Sequence, residues 1–159
     1  MIEKHISIQD DLSNLKDKPA WGLVRTHGSM FFLELGGSIL RPGGLKVHGE
    51  WHFLIEMCQW KFETKGLILV GSEDDQEFID ASFGRMELGV IESVDLTPPC
   101  HDLTVVFSSG IWLKTFFASS AAKDEWTNWI FYCPADRVWE THGGGQPILT
   151  NDGQVAGPL

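Results

Sequence analysis

The chain has 159 residues and a formal net charge of −10, from 22 acidic against 12 basic side chains. That surplus repels phosphate, so nucleic acid and anionic membrane surfaces are excluded as non-specific partners. At 43% hydrophobic and 21% charged, the composition is that of one ordinary globular domain, able to bury a core without metals or disulfides.

The three cysteines, Cys58, Cys100 and Cys133, are scattered and form no CxxC pair, which argues against a zinc ribbon or a disulfide scaffold. The opening MIEKHISIQDD has no apolar signal region, and no apolar run nears the roughly 18 residues of a membrane span. The expectation is a cytoplasmic protein without membrane contact. Seven Trp and ten Phe against one Tyr leave more aromatic surface than a core requires, and Trp and Phe are types enriched in interface cores.

In chain order, Ser7 to Lys16 reads as a short helix, capped by Ser7 and striped by Ile8, Leu12 and Leu15, and Pro19 stops it. Trp21 to Leu35 reads as a hairpin around His27-Gly28, with Val24 facing Phe31 and Leu23 facing Phe32. Gly36 to Gly44 is a glycine-rich loop. Val47 to Glu63 reads as one long strand, and Leu67 to Gly71 as a short one. A helix opens at Ser72, with Phe78, Ile79, Phe83 and Met86 along one side, and ends at Gly84 or Gly89. Val90 to Leu96 alternates as a strand before the Pro98-Pro99 turn. Leu103 to Phe117 reads as a hairpin around Ser109-Gly110, pairing Phe107 with Trp112 and Val106 with Leu113. Trp126 to Tyr132 and Arg137 to Thr141 make a last strand pair around Pro134-Ala135-Asp136. No internal repeat is visible.

The tally is eight or nine strands and two short helices, without strand-helix alternation. It predicts an α+β domain over residues 1–142: a mostly antiparallel curved sheet or half-barrel with the two helices packed against it. Residues 143–159 are set apart as a Gly-rich C-terminal tail, loosely ordered or docked on a neighbour.

The stretch Val47 to Glu63, VHGEWHFLIEMCQWKFE, holds the densest chemistry. Its odd positions Trp51, Phe53, Ile55 and Met57 form an apolar face, expected to meet the helix bearing Phe78, Ile79 and Phe83. Its even positions place His48, Glu50, His52 and Glu56 on the other face. A strand of that length spans about 50 Å, whereas a globule of this size is about 40 Å across. The strand therefore bends, carries a bulge or projects. Imidazoles and carboxylates two residues apart are competent to share a divalent ion. A solvated polar face is the plainer reading, so no metal and no cofactor is expected. His48 and His52 are four apart, which does not fit the His-x-His of cupins.

Lys18-Pro19-Ala20-Trp21-Gly22, His27-Gly28-Ser29, Gly49-Glu50-Trp51-His52 and Cys58-Gln59-Trp60-Lys61, with the closing segment Trp129 to Val138, resemble a family of small uncharacterised bacterial proteins. The likeness spans about residues 10 to 140. It implies a stand-alone bacterial protein and carries no activity. By analogy, some such proteins are immunity partners of toxins or travel on mobile elements.

No GxSxG, HExxH, P-loop or helix-opening GxGxxG is present. Cys100 and His101 adjoin, and neighbours on a strand point to opposite faces, so no catalytic residue is assigned. His27 reads first as a turn residue and second as part of a binding site. Two function classes remain. The first is a non-enzymatic binding protein, acting on a protein partner and self-associating as a homodimer. The second is a small metal-assisted or ligand-binding enzyme using His48, Glu50, His52 and Glu56, with His27 nearby.

Overall fold

The computed structural model describes residues 6–40, 47–118 and 126–152. Ser7 lies extended ahead of the first helix, and its hydroxyl accepts from the Gln9 N–H at 3.2 Å, so α1 runs over Ile8–Ser13. It buries Leu12, and Leu15 beyond its end is fully buried. Asp75 precedes α2, Gln76–Arg85, which buries Ile79 and Phe83 and leaves Phe78 exposed. The acids Asp74 and Asp75 lie ahead of this helix, where the Asp74 carboxylate accepts from the Gly71 N–H at 2.8 Å.

Eleven strands follow the alternating pattern of the sequence. They are β1 Pro19–Arg25, β2 Phe31–Leu40, β3 Val47–Ile55, β4 Gln59–Thr64, β5 Leu67–Gly71, β6 Gly89–Thr97, β7 Asp102–Phe107, β8 Trp112–Phe116, β9 Thr127–Tyr132, β10 Arg137–His142 and β11 Ile148–Asp152. All pairings are antiparallel, in the order β11-β10-β9-β3-β2-β1-β6-β7-β8-β4-β5. The chain is thus α+β, with a mostly antiparallel sheet and two helices among the described residues. β11 extends the sheet into the segment expected to be tail, and residues 153–159 lie outside the described ones.

The expected long strand is two. β3 stops at Ile55, Glu56 to Cys58 cross over, and β4 starts at Gln59 in a different part of the sheet, beside β8 rather than β9. The apolar phase reverses there: Trp51, Phe53 and Ile55 are buried on β3, Met57 is exposed, and Trp60 and Phe62 are buried on β4. The two predicted hairpin registers each slip by one residue. The Thr26 N–H bonds to the Met30 carbonyl and the Phe107 N–H to the Ile111 carbonyl, so each turn is one residue longer than the pair of residues at its tip. Val24 then faces Phe32 and Val106 faces Trp112.

Phe31 of β2 meets Phe62 of β4 at 5.8 Å and Phe83 of α2 at 5.2 Å, although four strands separate β2 from β4 in the sheet order. The sheet therefore bends until β2 and β4 share one core, with Trp60 at 4.8 Å from Phe31. α2 closes on Phe31, Trp60 and Phe62, whereas the β3 face packs on β9 through the stacked pair Phe53–Phe131 at 4.5 Å.

The strand order hides a symmetry. Exchanging β1 with β6, β2 with β7, β3 with β8, β4 with β9 and β5 with β10 leaves the order from β10 to β5 unchanged. Each half is a helix followed by five strands; the fourth strand of each half pairs onto the third of the other, and the fifth pairs onto that fourth. The match reaches single residues. The β1–β2 register shifts between Ala20 and Gly22, and the β6–β7 register between Ile91 and Ser93. Trp60 and Trp129 occupy equivalent buried sites, opposite Thr115 and Ile55. Each donates its indole N–H to a carbonyl in the first hairpin turn of its own half, Ser29 at 2.8 Å and His101 at 3.2 Å respectively. A sequence trace is Trp60-Lys61-Phe62 against Trp129-Ile130-Phe131.

Candidate metal centre on the β2–β3 ribbon

The two halves differ most where β2 meets β3. In the second half the equivalent strands turn tightly at Ser108 to Gly110. In the first half the ribbon continues past the Leu35–Trp51 pair to Leu40 and Val47. The continuation begins with a bulge, since Leu35 pairs with Trp51 and Ser38 with Gly49, so Gly36 and Gly37 stand opposite Glu50.

On the face away from the core, Glu34 of β2 lies opposite His52 of β3, and both are buried, at 3% and 6% exposure. Gly22 of β1 lies beneath Glu34; a Cβ there would sit 3.0 Å from the Glu34 Cγ. A flat strand would hold the His48 and His52 side chains about 13 Å apart. Here their rings stack with centroids 4.8 Å apart and planes 25° off parallel. Gly49 permits this, because its backbone presses against β2 so closely that a Cβ would fall 2.3 Å from the Leu35 carbonyl oxygen.

A buried carboxylate requires partners. Glu34 Oε2 accepts from the Gly49 N–H at 2.7 Å, and Oε1 lies 2.8 Å from His48 Nδ1. His52 Nδ1 is 3.9 Å from Oε2. One donor atom from each of Glu34, His48 and His52 lies within 4.8 Å of the other two. Aromatic rings wall the cluster: Tyr132 of β9 stacks on His52 at 4.3 Å, and Phe32 meets both imidazoles edge-on at 5.8 and 5.7 Å.

Of the five residues expected to form a site, the structure brings together only His48 and His52. Glu50 is exposed and directed into the bulge, where its Oε1 accepts from the Gly37 N–H at 2.7 Å. Glu56 lies past the end of β3, and burial, then the charge of Glu140, push its carboxyl above the usual range, with His142 opposing. His27 lies exposed in the β1–β2 turn, beyond the far end of the strand that carries Glu34. Glu34 escaped the sequence reading. It is a lone acid in Phe31-Phe32-Leu33-Glu34-Leu35, and only the true register sets it against His52.

Thiol chemistry has no candidate among Cys58 and Cys133. Burial pushes each thiol up to about 12, far from the thiolate that attack requires. The carbonyl of His101, beside Cys100, accepts the Trp129 indole N–H in the β6–β7 turn.

The second half supplies an internal control. The residues equivalent to Glu34, His52 and Tyr132 are Val106, Trp112 and Glu63, by the pairings Val106–Trp112 and Trp112–Glu63. The same scaffold thus accepts apolar residues where Glu34 and His52 stand, and nothing in the architecture demands a buried acid with two imidazoles.

No protein-family model, curated protein or solved structure matches the chain. No helix among the described residues is long and apolar enough to cross a membrane.

Proposed function

We propose that the protein binds a divalent transition-metal ion of the zinc class through Glu34, His48 and His52, and offers that ion to a water or small ligand for metal-assisted chemistry. One observation carries the reading: a carboxylate and two imidazoles converge, with a donor from each within 4.8 Å, on a ribbon that the other half of the fold lacks. Two nitrogens and one oxygen suit borderline ions, and three protein donors are the count of catalytic rather than structural zinc sites. Bonds of about 2.0–2.1 Å set tetrahedral donors about 3.3 Å apart. Glu34 and His48 stand 2.8 Å apart and part by about half an ångström to admit the ion, while His52, 3.9 Å from Glu34 Oε2, moves in by about as much. The Gly49 N–H on Oε2 is the supporting contact that would orient the carboxylate.

Zinc titration by calorimetry on untagged protein, with metal content by mass spectrometry, tests this. One equivalent should bind, and His48→Ala or His52→Ala should weaken it at least about a hundredfold. Glu50→Gln should leave it unchanged. Wild-type protein that binds zinc no better than the His48→Ala/His52→Ala double variant ends the proposal.

A further inference from the structure

The pseudo-symmetry exposes an unmatched edge. β10 and β5 are equivalent fifth strands. β10 is covered by β11, which pairs Leu149 with Trp139 and Ile148 with Glu140. β5 ends the sheet, and no strand among the described residues lies beyond it. Natural sheet edges are guarded by charge, proline, a bulge away from solvent or a covering element. β5 is Leu67-Ile68-Leu69-Val70-Gly71; it bulges against β4 at Leu69 but has neither charge nor proline, and Leu67 and Ile68 are 63% and 58% exposed.

We infer that β5 pairs antiparallel with β5 of a second copy of this chain, joining two sheets edge to edge about a two-fold axis. Two observations choose this occupant. First, the equivalent edge takes an antiparallel strand of the same length, five residues, so the geometry of a sixth strand is already realised once in the fold. Second, the chain carries a charge of −10, and two copies repel unless their contact strip is free of acids. Gly66 to Ser72 holds no ionisable side chain, so self-pairing brings no like charges into register. The opposite edge, β11, ends in Asp152. Pairing would satisfy the outward backbone groups of β5 ahead of Gly71, whose own N–H and C=O are held by Asp74, and cover Ile68, which lies in one row with Glu63 and the 41% exposed Trp112.

Light scattering across the micromolar range, with and without a chelator, is the test. Wild type should show twice the 17.8 kDa chain mass in both conditions. Ile68→Lys should return it to the chain mass and still melt in one cooperative transition, because Ile68 is exposed in the monomer, with only the concentration-dependent part of the melting temperature lost. Ile148→Lys, an equally exposed apolar residue on the opposite edge, should leave the dimer intact. A wild-type mass of 17.8 kDa throughout, or a dimer lost with Ile148→Lys and kept with Ile68→Lys, overturns the inference.

Discussion

Replacing Glu34 in two ways separates a structural role from a functional one. Glu34→Ala strands the buried Gly49 N–H, which costs about 1–3 kcal/mol, and removes roughly two buried carbon groups at about 0.8 kcal/mol each. The expected loss is about 3 kcal/mol, or roughly 10 °C in melting temperature for a chain of this size. Glu34→Val with His52→Phe strands the same N–H but no longer buries an ionisable pair. Exchanging buried ion pairs for packed apolar groups is often neutral or stabilising by about 1–4 kcal/mol. The two terms offset, so the double variant should stay within about 2 kcal/mol of wild type. It should bind no zinc. Urea denaturation followed by circular dichroism gives both stabilities, and calorimetry gives the metal affinity. The second half already places Val106 and Trp112 at these positions, which is why the double variant is expected to fold. A double variant as unstable as Glu34→Ala would refute the reasoning and make the cluster part of the scaffold.

The Asp11 carboxylate, 3% exposed, receives the Arg137 guanidinium and, at 2.7 Å, the Trp139 indole N–H, tying α1 to β10; Asp11→Ala strands that buried N–H and should cost about 1–3 kcal/mol, read as a fall in the urea midpoint. Burial, and then Glu140, raise the Glu56 carboxyl, so its ionised form opposes folding. The stability it gives when protonated is lost as pH rises through the raised value. Glu56→Gln should therefore raise the melting temperature at neutral pH and leave it unchanged in strong acid; a gain in acid instead would contradict the assigned cause.

Much of the local structure follows from the chain itself. Period-2 alternation alone assigns Trp51, Phe53 and Ile55 to the core, and Ser7 announces the first helix, because caps and periodicity are set by neighbours within a few residues; the second helix begins at Gln76, four residues after the Ser72 expected to open it. Turn residues mark every hairpin but do not count its loop, so both predicted registers slip by one. The break at Glu56 to Cys58 has no local signal, since apolar residues continue on both sides and only the sheet's bend gives them different cores. The candidate site divides in the same way. His48 and His52 are legible as two imidazoles on one strand, whereas Glu34 joins them through strand pairing and the close approach that Gly49 allows. The pseudo-two-fold order, which singles out both the β2–β3 ribbon and the open β5 edge, exists only in three dimensions. Each half preserves backbone pairing and buried volume, and those constrain a sequence far more loosely than they constrain a fold.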